Sequence, residues 1–385
     1  MKLSPVVAAP AARGASSART GALRDAVQKR VAHWCAEAQR LSKGEAGPRN
    51  IRVAVCAREL GSGAELVALR ADEHQPPASN MKLATTAAAL LLLGRDAQWV
   101  TPIEASVAPA NGVVAGDLVL RAAGDPLFDP AGQGAIEARL LAVAKDLRAR
   151  GLTRVSGDLV LDEGSFATPG PGPSWPDPSQ YWAEYCARSG GFSANGGVLH
   201  AIVRAGAVGG AAQVSVNPSP HGLKSDYDVR TSAGTKVDVR VGATQSTVTV
   251  KGTLGQGLGE YEAEFAHPDP VAHFGVLFSA ALKTAGIALS GGVRRERGVP
   301  NGQRLGEIRS ALPDCLEGIN SDSRNSVADQ VFLSLGKAMT GEGTRAGGAR
   351  AVGLALERLG LSPASIHQVD GSGLSREDRV TARAL

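Results

Sequence analysis

The sequence predicts an α+β fold in which a β-rich region is inserted into a domain built from helices and a hairpin. Helical and hairpin patterns come first, short alternating strands follow, and apolar-faced helices return toward the end of the chain. Strand-rich sequence enclosed by helix-rich sequence is the pattern that an insertion into a parent domain produces. We therefore expect a parent domain made of residues 22–100 and 266–385, with residues 101–265 inserted between its two parts.

The first part of the parent domain begins with a helical pattern at residues 22–47. Six apolar residues share one face of that helix: Leu23, Val27, Val31, Trp34, Ala38 and Leu41. The stretches IRVAVCAREL and GSGAELVALRAD predict two strands joined by a glycine turn. The segment PPASNMKLATTAAALLLLG, residues 76–94, then predicts a helix from about residue 79 to residue 93, buried because of its long apolar run.

The inserted region contains a short internal repeat. The pentapeptide GDLVL stands at 116–120 and again at 157–161, on either side of the amphipathic pattern AIEARLLAVAKDLRARG, which predicts a βαβ unit. Residues 164–180 hold too many glycines and prolines for regular structure, and long loops of this kind are often functional. Short alternating strands at 198–254 predict a nested β module near residues 166–254.

The second part of the parent domain again favours helices. An apolar-faced helix is predicted at 269–286, a strand in IALSGGVRRE, and further helices at about 326–339 and 348–359. The stretch VDGSGLSRED after them is rich in turn residues. Asp370 is expected to be a turn residue there, because Asp-Gly is a strong turn pair.

Composition excludes several classes of protein. A formal net charge of +4 gives no reason to expect a nucleic-acid partner, and the longest apolar run is too short to cross a bilayer, so no transmembrane segment is expected. Residues 1–21 are interrupted by Pro5 and Pro10 and make a poor signal peptide, so we expect a disordered leader. A disulfide framework or a zinc site is not expected from four widely spaced cysteines, although a single bridge stays open: Cys35, Cys56, Cys186 and Cys315.

Serine and lysine are the candidate catalytic residues, since the sequence has no P-loop, H-E-x-x-H or G-x-S-x-G motif. On a helix, Ser79 and Lys82 are neighbours on one face. Ser79 either caps the helix or acts as a nucleophile with Lys82 as its base. A capping box favours Glu or Gln at position 82, and a cation is disfavoured at the positive end of the helix dipole. The same location lowers the pKa of a lysine, as a base requires.

A lysine-assisted mechanism also needs a second serine to pass a proton to the leaving group. The pattern Ser-x-Asn occurs at residues 193–195, 215–217 and 323–325. Only the third stands at the mouth of a predicted helix, where Ser323 and Asn325 either cap the helix or project into a cleft. His74 and His267 are expected at the surface.

These segments together resemble a known family. PPASNMKLATTAAALLLLG resembles the nucleophile helix of the penicillin-binding D-alanyl-D-alanine carboxypeptidases of the PBP4 type, peptidase family S13. NSDSRNSVADQ is similar to the family's Ser-x-Asn segment, VDGSGLSR to its downstream signature, and GDLVLRAAGDPLF and GDLVLDEGSF to its inserted region. The separation of 244 residues between Ser79 and Ser323 also agrees with a family that carries an extra domain in this interval.

The resemblance implies a penicillin-binding/β-lactamase-like transpeptidase domain and a role for each site residue. Ser79 would be acylated, Lys82 would be its base, Ser323 would relay protons and Asn325 would hold the substrate amide. Asp162 matches an acidic position that helps to recognise the stem peptide. The implied activity is D-Ala-D-Ala carboxypeptidase, and as an alternative endopeptidase, on periplasmic peptidoglycan. β-Lactams would inhibit it, and no metal or cofactor is implied.

One family motif is not found. Lys-Thr-Gly is expected roughly a hundred residues beyond Ser323, yet the sequence contains no KTG, and the nearest strings are LKTAG at 282–286 and AMTGEG. We therefore expect either a chain that is cut short or a homologue without this motif. Two alternative functions stay open: a non-catalytic binder of wall peptides, and an esterase or β-lactamase-like hydrolase that uses the same Ser-Lys pair.

Overall fold

The computed structural model describes residues 18–41, 52–129 and 135–385. The helices are α1 (Ala18–Leu41), α2 (Met81–Leu92), α3 (Ala135–Ala149), α4 (Pro270–Thr284), α5 (Leu312–Asn320), α6 (Asn325–Thr340) and α7 (Arg345–Arg358). The strands are β1 (Val55–Arg58), β2 (Glu65–Leu69), β3 (His74–Gln75), β4 (Gln98–Ala105), β5 (Val113–Val114), β6 (Leu118–Arg121), β7 (Arg154–Val155), β8 (Leu159–Asp162), β9 (Val198–Arg204), β10 (Gln213–Asn217), β11 (Lys224–Ser232), β12 (Val237–Ala243), β13 (Thr247–Gly255), β14 (Glu260–Ala266), β15 (Ala288–Leu289), β16 (Val293–Glu296), β17 (Gln303–Ala311), β18 (Ile366–His367) and β19 (Arg379–Thr381).

The chain divides into two compact units. The first consists of the described residues up to Pro76 with Ala364–Ile366 and Arg379–Leu385. In it β1 and β2 form the predicted antiparallel hairpin, α1 packs against β2, and β19 pairs with β3. Helix α1 begins ahead of the predicted start, while residues 1–17 of the expected leader and the predicted helix end at 42–47 lie outside the described residues.

The second unit contains a five-stranded sheet with the strand order β16-β8-β6-β4-β17. The two GDLVL repeats form β6 and β8, which pair in parallel with Leu118 opposite Leu159. Helix α3 lies between these strands in the chain and packs on the sheet beside α4. The predicted βαβ unit is therefore confirmed, and its two apolar repeats are buried because both enter one core.

The same sheet crosses the domain boundary that the sequence predicts at residues 265 and 266. Strand β16 pairs in parallel with β8, and β17 pairs antiparallel with β4. Both β16 and β17 come from the part of the chain assigned above to the parent domain. Local patterns did not indicate this return, because β16 is a short strand of mostly exposed residues whose partner lies far away in the sequence.

A β module and a helical layer complete the second unit. Strands β9 to β14 form two three-stranded sheets, β10-β9-β14 and β11-β13-β12, which share a core that includes Leu199, Val250 and Phe265. Helix α6 packs against α2, α5 and α7. Helices α4, α6 and α7 lie where the sequence predicts them, and α6 has a nearly continuous buried stretch from Ser326 to Gly336.

All four cysteine thiols are free, which answers the question of a single bridge. Within the described ranges, no helix is both long enough and apolar enough to cross a membrane.

Candidate active site

Ser79 lies in a single 3₁₀ turn, Ala78–Asn80, that leads directly into α2. Neither Pro77 nor Asn80, the residues at the two cap positions, makes a side-chain cap hydrogen bond. The Ser79 hydroxyl instead contacts the side chains of Lys82 and Ser323. The structure therefore does not support the capping interpretation of Ser79.

Lys82 has three hydrogen-bond partners and almost no exposed surface. Its Nζ atom lies 3.0 Å from Ser79 Oγ, 2.6 Å from Asn325 Oδ1 and 3.0 Å from the carbonyl oxygen of Ser372. The residue is 2% exposed, so water contributes little to its solvation. A neutral amine has two N–H donors and one lone pair. Donation to Asn325 and Ser372 leaves the lone pair for the Ser79 hydroxyl.

From the start of α6, Ser323 contacts Ser79 and Asn325 contacts Lys82. Ser323 Oγ donates to Ser79 Oγ over 3.0 Å, and Asn325 Nδ2 donates to the carbonyl of Tyr185 over 3.0 Å. The residue at the helix cap position is Arg324, which makes no side-chain cap bond. Ser323 has a φ of +59°, a conformation uncommon for serine that turns the chain between α5 and α6. The structure thus places both side chains at Ser79 and Lys82 rather than at a helix cap.

Burial and two carboxylates set the charge of Lys82 in opposite directions. Burial lowers the pKa of Lys82 to about 8, while the carboxylates of Asp329 and Asp370 act to raise that pKa. Burial also raises the pKa of Asp329 to about 7, with the charge of Asp370 adding to the effect. With a pKa of about 8, roughly a tenth of Lys82 is neutral at pH 7, and this neutral form is the one that a base for Ser79 requires.

Asp370 holds the loop that presents the Ser372 carbonyl to Lys82. Its carboxylate accepts hydrogen bonds from the backbone amides of Ser372 (3.1 Å), Gly373 (2.7 Å) and Ser375 (2.8 Å). A side chain at Gly373 would place its Cβ 1.8 Å from the carbonyl oxygen of Ala78, so only glycine allows this close approach to the turn that carries Ser79. Sequence reasoning identified Asp370 as a turn residue but missed this contribution to the site.

Asp162 has a structural environment. It is 4% exposed at the end of β8; its Oδ2 accepts from Arg121 over 2.7 Å and its Oδ1 from the amides of Gly164 and Gly298 at 3.0 Å each. Both carboxylate oxygens thus have partners within the protein. The substrate contact that the resemblance implies for Asp162 stays a prediction.

The other serine motifs take part in packing. Asn195 Nδ2 bonds the Val198 carbonyl and the His200 ring, and Ser215–Asn217 belongs to β10. Ser334 accepts a hydrogen bond from Trp99 in the core. His267, predicted at the surface, is 2% exposed because its ring stacks on His273.

Comparisons with known proteins find a matching family and related sequences. The family model described as D-Ala-D-Ala carboxypeptidase 3 (S13) family matches residues 38–385. A D-alanyl-D-alanine carboxypeptidase of Actinomadura sp. (strain R39) is 31% identical over 346 residues, which cover 84% of this chain and 61% of that protein. The D-alanyl-D-alanine carboxypeptidase DacB of Haemophilus influenzae is 24% identical over 350 residues, covering 88% and 70%. This chain therefore spans less than two thirds of the Actinomadura relative.

A solved structure shows the same fold. The crystal structure of penicillin binding protein 4 (dacB) from Haemophilus influenzae has a TM-score of 0.71 at 23% identity, covering 86% of this chain and 73% of that one. The same protein complexed with a novel β-lactam gives a TM-score of 0.65 at 23% identity. The fold class predicted from the sequence is thereby confirmed.

Proposed function

This chain belongs to the D-Ala-D-Ala carboxypeptidase 3 (S13) family, and we propose that it is a serine D-Ala-D-Ala carboxypeptidase that acts on peptidoglycan stem peptides. The proposal includes an acyl-enzyme formed on Ser79, inhibition by β-lactams and a periplasmic location, where this substrate is found. Cleavage of peptide cross-links, the endopeptidase reaction, is a second activity of the same site.

The observation that carries the proposal is the contact of the Lys82 amine with Ser79 Oγ at 3.0 Å, in surroundings that lower the pKa of Lys82 to about 8. A serine hydroxyl is a weak nucleophile until a neighbouring base removes its proton. Lys82 is the residue placed to do so. Ser323 donates to the same oxygen and is placed to carry the proton onward.

The reaction follows from these contacts. Lys82 Nζ takes the Ser79 proton as Ser79 Oγ bonds to the carbonyl carbon of the penultimate D-alanine. The peptide bond breaks as Ser323 gives its hydroxyl proton to the amine of the departing D-alanine, and Ser323 is reprotonated with the proton held by Lys82, which becomes neutral again. Water then attacks the ester, Lys82 accepts a water proton, and Ser79 regains its hydroxyl. Asn325 holds the Lys82 amine in place throughout.

Release of free D-alanine from a pentapeptide ending in D-Ala-D-Ala tests the proposal. We expect release by this chain and loss of it in Ser79→Ala, with a folded-state control by circular dichroism. A parallel assay on a cross-linked peptide dimer measures the endopeptidase reaction. Binding of the pentapeptide without release of D-alanine would contradict the carboxypeptidase and favour a binder of wall peptides. Hydrolysis of simple esters alone would favour an esterase.

A further inference from the structure

The loop of residues 164–180 reaches the active site through one tryptophan. Trp175 is 8% exposed, and its indole Nε1 donates to Asp370 Oδ2 over 3.1 Å. Asp370 in turn gathers the backbone amides of the segment whose Ser372 carbonyl accepts from Lys82 Nζ. A continuous chain of hydrogen bonds thus runs from this loop to the amine.

Further bonds join the two segments at the residues just before Trp175. Ser375 Oγ donates to the Pro173 carbonyl over 2.7 Å, and Ser174 Oγ donates to Glu377 over 2.6 Å. Ser174 has a φ of +50°, so a strained residue lies directly before the tryptophan. The guanidinium of Arg345 lies 5.6 Å from the Trp175 ring and fixes the ring from outside. The indole N–H is thus directed at Asp370 by contacts on several sides.

The orientation of the Lys82 lone pair depends on the Ser372 carbonyl. The amine has three partners, and only when Asn325 Oδ1 and Ser372 O accept its two N–H groups does the lone pair face the Ser79 hydroxyl. If Asn325 were the only acceptor, the amine could rotate about its hydrogen bond to Asn325, and the lone pair would have no fixed direction.

We propose that Trp175 is a positioning residue for the Ser-Lys pair: through Asp370 it fixes the Ser372 carbonyl, which orients the Lys82 amine toward Ser79. This inference rests on the proposed function. The Gly/Pro-rich loop of residues 164–180 would thus influence the reaction, although Trp175 is linked to Ser79 only through other residues.

The first test replaces the indole by a phenyl ring, which removes the N–H together with one ring of the side chain. Trp175→Phe should lower the rate constant for acylation of Ser79 by fluorescent penicillin about tenfold, the loss of one hydrogen bond to a charged acceptor, with the final labelled fraction unchanged. Trp99→Phe is the matched control, because Trp99 is also buried and its N–H donates to Ser334, away from Lys82. Equal rates for the two variants would overturn the proposal.

A second variant keeps the tryptophan and moves it. A Cβ added at Gly172 would lie 2.3 Å from Trp175 Nε1, so Gly172→Ala must displace the N–H from Asp370. We expect the same slow acylation with a full labelled fraction. A reduced labelled fraction at an unchanged rate would show that the loop serves folding only.

The third measurement does not need an active enzyme. The Cε chemical shift of ¹³C-labelled lysine, assigned to Lys82 by its loss in Lys82→Arg, should titrate near pH 8. Asp370→Asn should move that titration to lower pH, since only Asp329 then opposes burial, and Trp99→Phe should not. Buried Asp378 also lies beside Asp370, and burial raises its pKa. An unchanged titration in Asp370→Asn would overturn the link to Lys82, whereas absent labelling in wild type would fail the proposed function alone.

Discussion

Among single residues, the charge of Lys82 matters most for the proposed reaction. An exposed lysine would be protonated at neutral pH and could not accept the Ser79 proton. Here burial is the larger influence, and it outweighs the two carboxylates that favour the charged form. The sequence already indicates that Lys82 stands at a helix start, where a cation is disfavoured. The folded chain adds burial, which lowers the pKa of Lys82.

The titration of Lys82 predicts how acylation depends on pH. Because the neutral amine is the reactive form, the acylation rate should rise about tenfold per pH unit below about pH 8 and level off above it. Stopped-flow measurement of penicillin acylation between about pH 6 and pH 10 checks this. A rate independent of pH across that range would show that another group activates Ser79.

Sequence analysis located Ser79, Lys82, Ser323 and Asn325, but it left two interpretations open for each pair. A helix-start serine has the same local pattern whether it caps or reacts. What decided between them was contact between segments 244 residues apart in the chain. Ser372 could not be predicted at all, because it acts through its backbone carbonyl, which every residue has.

At the scale of elements, the helices were the most predictable. Helices α2, α4 and α6 each have a long apolar run or stripe, and such patterns are local. The GDLVL repeat likewise indicated the parallel pair β6 and β8. Strand partners that come from distant sequence, such as β16 beside β8, could not be predicted because pairing has no local signature.

Asp162 is expected to stabilise the pairing of β6 with β8. Its partly buried ion pair with Arg121 joins β6 and β8 at their ends. Asp162→Asn should lower the free energy of unfolding by about 2 kcal/mol, the loss of one charge-assisted hydrogen bond, because Arg121 keeps its ion pair with Glu104. It should leave the KM for the pentapeptide unchanged. Urea unfolding and peptide kinetics measure the two quantities.

The control for Asp162 is Asp146→Asn, which breaks an exposed pair between Asp146 on α3 and Arg150 just after the helix. Such surface pairs contribute about 0–1 kcal/mol, so little change in stability is expected. A raised KM in Asp162→Asn without loss of stability would instead restore the substrate-binding role that the family resemblance implies.

At the scale of the whole molecule, buried histidines link parts of the second unit that the sequence suggested were separate. His273 on α4 is fully buried, contacts the Pro218 carbonyl after β10, and stacks on His267 at 4.6 Å. His267 Nδ1 accepts from the Asp269 amide while its Nε2 contacts the His221 carbonyl, an arrangement that requires a neutral ring. Burial lowers the pKa of both rings.

These histidines predict sensitivity to acid. Since the folded-state pKa values are lowered, the unfolded chain binds more protons below pH 6.5, and stability present above that pH is lost as the pH falls. His273→Phe should reduce the stability lost between pH 7.5 and pH 5 by about 2 kcal/mol, measured by urea unfolding. His74→Phe, at an exposed position, is the control, and equal losses in both variants would contradict the prediction.

The most direct test of the central claim is covalent labelling of this chain with fluorescent penicillin at about pH 8.5, followed by peptide mapping of the adduct. We expect one penicilloyl group on Ser79, and no such group in either Ser79→Ala or Lys82→Met. Stable, folded protein that forms no adduct, or an adduct that forms as fast without the Lys82 amine, would contradict it.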